Sequence, residues 1–370
     1  MTETLPSISL LLSLAFVIGA VFGAVGRQSN FCTMGAVADL VSMGERSRMQ
    51  MWALAAASAL VGTSLLQWTQ LVDPAASLYA SSRLNWLSHL LGGLCFGVGM
   101  SLASGCTSKA LIRLGGGNLK ALIVLLVVAI SAYMSMRGLF GVWRVRWLDS
   151  QYLVLPQSQT LPALLSTNGF SPASALLGSS ALVLGLLLAF VSWPRQALRS
   201  AWLASIVVGL CVVAAWFVSG HLGYVSEHPD TLSEAFLTTS SKGPEGLSFV
   251  APTAYGLELL LLWSDQSRVL SFGTASALGV IAGAAAHAFA TRSFRLESFR
   301  DPADLLRHLA GAMLMGFGGV TALGCSIGQG ISGLSTLALG AFLTTAAIII
   351  GCWLSLKLQY RLLMRNAACG

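Results

Sequence analysis

Charged residues are what this chain has least of. Asp, Glu, Lys and Arg together make up 9% of its 370 residues, against roughly 25% in a soluble domain. That shortage excludes a water-soluble globular fold. The remainder, 55% hydrophobic with a mean hydropathy of +0.76, points to a bilayer. Several chemical signatures are also missing. No CxxC or CxH spacing joins the seven cysteines, which argues against a zinc site or a thioredoxin-like centre. The run "GGGNLK" lacks the GxxxxGK[ST] spacing and follows no strand, so the chain is not expected to be an ATPase. The net charge of +7 is dispersed over many short segments and forms no patch, which excludes a nucleic-acid partner. The acidic residues Asp39, Glu45 and Asp265 sit near loops. Asp39 is the one to test for ion coupling, because an ionisable group inside a span is costly and usually functional. No metal and no cofactor are expected.

What is present is a series of apolar runs near the ~20 residues that cross the hydrocarbon core. Nine spans are predicted: Ile8–Val25, Met49–Trp68, Trp86–Leu102, Leu119–Met136, Ala173–Val191, Ala201–Ser219, Val269–Ala290, Ala303–Leu323 and Leu337–Leu358. The first has no basic leader or convincing cleavage site and reads as a span rather than a signal peptide. An external N-terminus puts fifteen Lys and Arg residues on inner segments, including Arg27, Arg46, Arg48, Lys109 and Arg113. Six remain outside: Arg83, Arg137, Arg144, Arg146, Lys242 and Arg268. This bias predicts a periplasmic N-terminus and a cytoplasmic C-terminus.

The chain also repeats itself. Shifted by 219 positions, "LSHLLGGLCFGVGMSLASGC" falls on "LRHLAGAMLMGFGGVTALGC", so that His89 meets His308, Gly92 meets Gly311, Gly99 meets Gly318 and Cys106 meets Cys325. Four spans precede Ala173–Val191 and four follow it. Matched spans are therefore five apart, which forces opposite topologies on the two halves, the architecture of transporters and channels. The expected organisation is one integral membrane domain over 1–370, with a first repeat at 1–150, a linking span and insertion at 151–195, and a second repeat at 196–370. His89 and His308 are expected to pack helices rather than relay protons.

Four apolar pieces are too short to cross: Thr33–Met43, Thr107–Leu114, Pro252–Trp263 and Ser326–Leu334. They read as re-entrant half-helices, which need a protected or wet cavity; a surface amphipathic helix is the alternative. Cys95, Cys211 and Cys352 lie inside apolar spans, where a thiol is a small packing residue, and Cys369 lies in a tail. Cys32, Cys106 and Cys325 each stand at the start of a short piece. A helix N-terminus offers free N–H groups and positive potential to an anion. Gly105 and Gly324, just before two of these thiols, let backbone come close to whatever passes. Lys109 either attracts a dianion or marks the cytoplasmic edge. The reading favoured over three structural thiols is a path with sulfur checkpoints, suited to a small anion carrying soft sulfur. Phe249 and Val250 occupy the matching place before Pro252–Trp263, which therefore lacks a thiol.

The segments "GRQSNFCTMGAVADL", "ASGCTSKALIRLGGGNLKAL" and "ALGCSIGQGISGLSTLALG" resemble the signature segments of the YeeE/YedE family of sulfur-compound transporters. The resemblance implies an all-α polytopic fold shaped as an hourglass, with half-helices meeting at a central constriction. It implies import of thiosulfate across the bacterial inner membrane, not an enzymatic reaction, with the ion in contact with Cys32, Cys106 and Cys325 in succession; the topology above adds the order, Cys325 nearest the periplasm and Cys32 innermost. Other members act on other cargoes, so a selenium compound or sulfite stays open. So does a membrane sulfurtransferase or thiol relay that forms persulfides. Some relatives carry a fused TusA-type domain, none is expected here after "RLLMRNAACG", and a separate cytosolic TusA-like carrier or sulfurtransferase is the partner to look for.

Overall fold

In the computed structural model, residues 7–167, 169–192, 199–227, 232–265, 269–299 and 301–369 are described. Arg195, Arg268 and Arg300, all counted above, lie outside them, as does the 195/196 boundary; the side chains of Arg199, Arg365 and Cys369 are likewise not described. The chain is built of helices joined by turns and by longer connections such as those between Trp68 and Trp86 and between Phe217 and Val250. In order these are α1 (Ile8–Gln28), α2 (Thr33–Ser42), α3 (Ser47–Trp68), α4 (Trp86–Leu102), α5 (Thr107–Gly115), α6 (Leu119–Arg137), α7 (Leu139–Trp143), α8 (Leu161–Thr167), α9 (Pro172–Ser192), α10 (Arg199–Phe217), α11 (Val250–Leu261), α12 (Phe272–Ala290), α13 (Pro302–Thr321) and α14 (Leu339–Cys369). The named strands among the described residues are two antiparallel pairs of two residues each, Arg83–Leu84 with Leu153–Val154 and Tyr224–Val225 with Ala235–Phe236.

Helices occupy all nine positions expected for spans. Eight described stretches are long and apolar enough to cross a membrane; this is a multi-pass membrane protein. The exception is α13, 20 residues long, whose first turns carry Asp304, Arg307 and His308 and lower its hydropathy. The last helix runs past Leu358 to Cys369, because leaving the hydrocarbon does not end a helix that carries no breaker. The segment expected as the fourth short helix is wound more widely than the other three, as a π-helical turn over Gly328–Gly333.

Small residues set the packing. Helices in lipid gain little from burying apolar surface against one another and associate by close backbone approach. The crossing of α4 with α13 is one close case, after that of α1 with α12, where a Cβ on Gly19 or Gly283 would fall on the carbonyl oxygen of Ser276 or Ala20. A Cβ on Gly92 would lie 2.9 Å from the Gly318 carbonyl oxygen, and one on Gly318 would lie 2.6 Å from that of Gly92. Gly99 and Gly311 face each other in the same reciprocal way at 2.6 Å. Residue numbers rise on one helix as they fall on the other, so these two helices, the ones most alike in sequence, pack antiparallel. Their packing partners correspond as well: α14 lies on α4 as α6 lies on α13, and α12 lies on α1 as α3 lies on α10. His89 and His308 are both buried. The imidazole of His89 is 2.7 Å from the Thr344 hydroxyl, and that of His308 is 2.7 Å from the Asp304 carbonyl of its own helix.

Candidate functional site

Three long helices, α1, α4 and α13, stop in the same manner just before a cysteine. In each, a residue with a left-handed backbone breaks the helix two places ahead of the thiol: Asn30 at φ 51°, Ser104 at 55° and Leu323 at 58°. The next amide then bonds back five residues, Phe31 to Gly26 at 3.1 Å, Gly105 to Met100 at 2.9 Å and Gly324 to Gly319 at 2.8 Å. This is a Schellman-type stop. Asn tolerates the left-handed region, whereas Ser and Leu lose about 1–2 kcal/mol there, so packing must hold those two turns in place. The glycine before Cys106 and Cys325 is not the turn residue itself. At Gly105 the backbone itself favours glycine, with φ at +158°, and a Cβ there would also sit 3.3 Å from the side chain of Lys109.

Each turn delivers a cysteine to the first position of the segment that follows. The Cys32 sulfur accepts the Gly35 N–H at 3.4 Å, and the Cys325 sulfur accepts the Gly328 N–H at 3.3 Å. Sulfur thus occupies the capping place usually held by Ser, Thr, Asn or Asp. Cys106 makes no such cap; its sulfur lies 3.2 Å from the Ser108 hydroxyl. Cys325 also has the Ser248 hydroxyl 3.9 Å away.

These turns come from both halves of the chain and converge. Cys32 and Cys106 are neighbouring thiols, and Ser326, one residue beyond Cys325, lies beside Cys106. Cys106 and Cys325 are buried, 1% and 0% exposed, while Cys32 is half-buried. Gly105, Gly324 and Lys109 share this centre, with the Lys109 ammonium 3.3 Å from the Asn30 amide oxygen. Cys95, Cys211 and Cys352 stand apart on α4, α10 and α14, within helices and not at their starts. Phe249, in the position equivalent to the cysteines, is buried and packs on Phe22 with ring centroids 5.4 Å apart. Among the described residues, no group of three or more His, Cys, Asp or Glu could hold a metal ion.

Two cavities approach the thiols from opposite sides. One, of about 260 Å³, is lined by Tyr79, Arg144, Glu245, Ser248, Tyr255 and Gly324 among others, and so ends beside Cys325. The other, of about 830 Å³, is lined by Arg27, Asn30, Ser104, Lys109, Arg113 and Arg295 among others, and ends beside Cys32 and Cys106. Its basic lining gives it positive potential, which raises the local concentration of anions. The three thiols line neither cavity and lie between them. In the first cavity the Glu245 carboxylate accepts the amides of Ser240 and Ser241, each at 2.7 Å. Burial nevertheless pushes its carboxyl above the ordinary range, with those bonds pulling the other way.

Sequence reasoning missed three features of this region. Glu258, in the apolar run of α11, is 3% exposed with its carboxylate 3.9 Å from the Arg137 guanidinium; a carboxylate within "LELLLL" was signal enough. Asp39 is tied to Arg48 at 3.2 Å, clamping α2 to the start of α3. The third concerns the residue after each cysteine. The hydroxyls of Thr33, Thr107 and Ser326 are buried and have no hydrogen-bond partner among the described residues. Each such orphan costs about 1–3 kcal/mol, and sequence carries no sign of it.

The chain was compared with known proteins. The sulphur transport family matches residues 28–354. The thiosulfate transporter TsuA of Spirochaeta thermophila is 26% identical, with 93% of this chain and 98% of that protein aligned. The thiosulfate transporter TsuA of Escherichia coli is 25% identical, with 95% of each chain aligned.

Proposed function

This chain belongs to the sulphur transport family, and we propose that it imports thiosulfate, passing the ion along three thiols from one face of the membrane to the other. The observation that carries this reading is the placement of Cys325, Cys106 and Cys32 between two cavities of opposite access. A thiol is a weak donor, and a transport path must bind its ion weakly enough to release it. The terminal sulfur of thiosulfate is soft and negatively charged, a fitting acceptor for S–H donors. The positive helix starts and Lys109 balance the charge of a dianion that would otherwise meet an apolar interior. Relatives named as thiosulfate transporters over nearly their whole length support this choice of cargo.

The remainder of the reading concerns placement. The antiparallel α4–α13 crossing and the corresponding helix contacts support an inverted repeat whose axis passes between Gly92, Gly99, Gly311 and Gly318. The four short segments are then re-entrant, two from each half. With the N-terminus periplasmic, the cavity at Cys325 opens outward and the basic one inward, so the order of passage is Cys325, Cys106, Cys32. The membrane is the bacterial inner membrane, and the basic inner mouth suits release toward a cytosolic TusA-like carrier or sulfurtransferase.

The test is uptake of thiosulfate labelled with different isotopes on its two sulfurs, by the full chain in liposomes. Both labels entering in equal amount is the expected result. Accumulation of the outer sulfur alone, with the other left outside, would replace transport by sulfur transfer through a cysteine persulfide.

A further inference from the structure

The three cysteines account for one end of the ion. Thiosulfate has a second, oxygen-bearing end, and an S–H donor does little for a charged oxygen beyond what water already did. Something else must replace that hydration inside the membrane.

We infer that Thr33, Thr107 and Ser326 are the oxygen-binding partners of Cys32, Cys106 and Cys325, each hydroxyl donating to the oxidised end of the ion whose terminal sulfur meets the neighbouring thiol. The inference rests on the transport reading above. Its grounds are chemical. The hydroxyls are 2%, 0% and 2% exposed as whole residues, and each lacks a partner among the described residues. A buried hydroxyl almost always finds a partner, usually a carbonyl one turn back on its own helix. Ser135, Ser179 and Thr321 do so here at 2.7, 2.7 and 2.8 Å. Thr33, Thr107 and Ser326 stand at the start of their segments, where the chain has just turned and no preceding turn exists to bond to. Their O–H groups are thus left available by the same Schellman-type stop that presents the thiols.

Thr63 and Thr345 are also unpaired, but they lie within long helices and have no cysteine before them. The other hydroxyls near the thiols are already engaged: Ser108 with Cys106 at 3.2 Å and Ser248 with Cys325 at 3.9 Å. The residue after each thiol combines burial with direct adjacency to sulfur. Adjacent side chains place a weak donor and a strong donor a few ångströms apart, about the separation of the sulfur and oxygen ends of the ion. Ser326 also lies beside Cys106, so the hydroxyl belonging to one thiol reaches the next, and the ion's oxygens need not be released before its sulfur is taken up. This two-donor arrangement selects for an anion bearing both atom types. Sulfate satisfies only the hydroxyls and hydrosulfide only the thiols.

The experiment measures initial rates of labelled thiosulfate uptake by the full chain in liposomes, across substrate concentration, for Thr107→Val, Thr33→Val and Ser326→Ala. Thr107→Ser and Thr33→Ser are the rescue variants. Valine keeps the shape of threonine and removes only the donor, and loss of one hydrogen bond to a charged group is worth roughly ten- to a hundredfold. The expected result is a fall of that size in kcat/KM for Thr107→Val and Ser326→Ala, near-full recovery in Thr107→Ser, and a smaller fall at Thr33, next to the half-buried thiol. Thiosulfate protection of Cys106 against alkylation in detergent gives a readout independent of transport, and Thr107→Val should weaken it in parallel. Wild-type kcat/KM in all three donor-less variants would overturn the inference while leaving the transport reading standing. So would equal loss in Thr107→Val and Thr107→Ser, since shape rather than the donor would then matter. A wild-type chain that takes up no thiosulfate would overturn both.

Discussion

A thiol differs from a hydroxyl in donor strength, size and nucleophilicity, and substitution separates these properties at Cys106 and Cys325. Alanine at either position should abolish thiosulfate-dependent growth at normal membrane levels, whereas Cys95→Ala and Cys352→Ala should leave growth unchanged. Serine should retain part of the uptake at Cys106 and little at Cys325, where the proposed order of passage puts the ion's entry. Equal and complete loss for Ser and Ala at both positions, in folded protein, would favour a covalent sulfur intermediate. The identity of these residues was legible in the sequence because the Gly-Cys turn occurs twice, 219 positions apart. The conformation was not. The strained residue is Ser104 or Leu323 rather than the glycine beside it, since the choice between two adjacent turn residues depends on packing that no local pattern records. The unpaired state of Thr33, Thr107 and Ser326 was hidden for the same reason: it is a property of what surrounds a hydroxyl.

At the level of helices, the decisive contact is the α4–α13 crossing. Near Gly99 an added Cβ would lie 2.6 Å from the Gly311 carbonyl oxygen, 2.8 Å from the Met315 amide nitrogen and 2.9 Å from the Met315 side chain. Gly99→Val should therefore destabilise the protein by at least about 1–3 kcal/mol, read as a lower melting temperature in detergent. Gly178→Ala, with open space around the new methyl group, should melt as the wild type does. The helices themselves were readable from apolar run length, and α4 and α13 could be paired from their shared glycines. Where each helix ends was less readable. The α14 helix outruns its apolar stretch and α13 begins in polar residues, because hydropathy reports what surrounds a helix and not how far its hydrogen bonds continue.

For the molecule as a whole, sidedness is the first matter to check. A periplasmic reporter fused after Ser77 should be active and one fused after Ser293 inactive; the reverse would invert the order of the three thiols. Access can be examined separately through Glu245. Its carboxyl, pushed up by burial, holds a proton at a higher pH than an ordinary carboxylate. Protonation removes negative charge from the cavity an anion must enter. Uptake should then rise as external pH falls through the pKa of Glu245 and decline as pH rises past it, and Glu245→Gln should flatten that dependence.

The two cavities approach the turns bearing Cys32, Cys106 and Cys325 from opposite sides. Water in both cavities is an electrical conductor by comparison with protein and lipid, so the membrane voltage falls across the partition between them and not across the whole bilayer. A dianion would feel nearly the full potential while moving past three side chains. Against an interior-negative voltage, this opposes inward passage by roughly 4–5 kcal/mol per 100 mV for two charges. In liposomes clamped with a potassium ionophore, an interior-positive voltage should accelerate uptake and an interior-negative one should suppress it. A voltage-independent rate would mean that the ion crosses with compensating cations. In a cell, net accumulation would depend on how quickly the delivered sulfur is consumed on the far side.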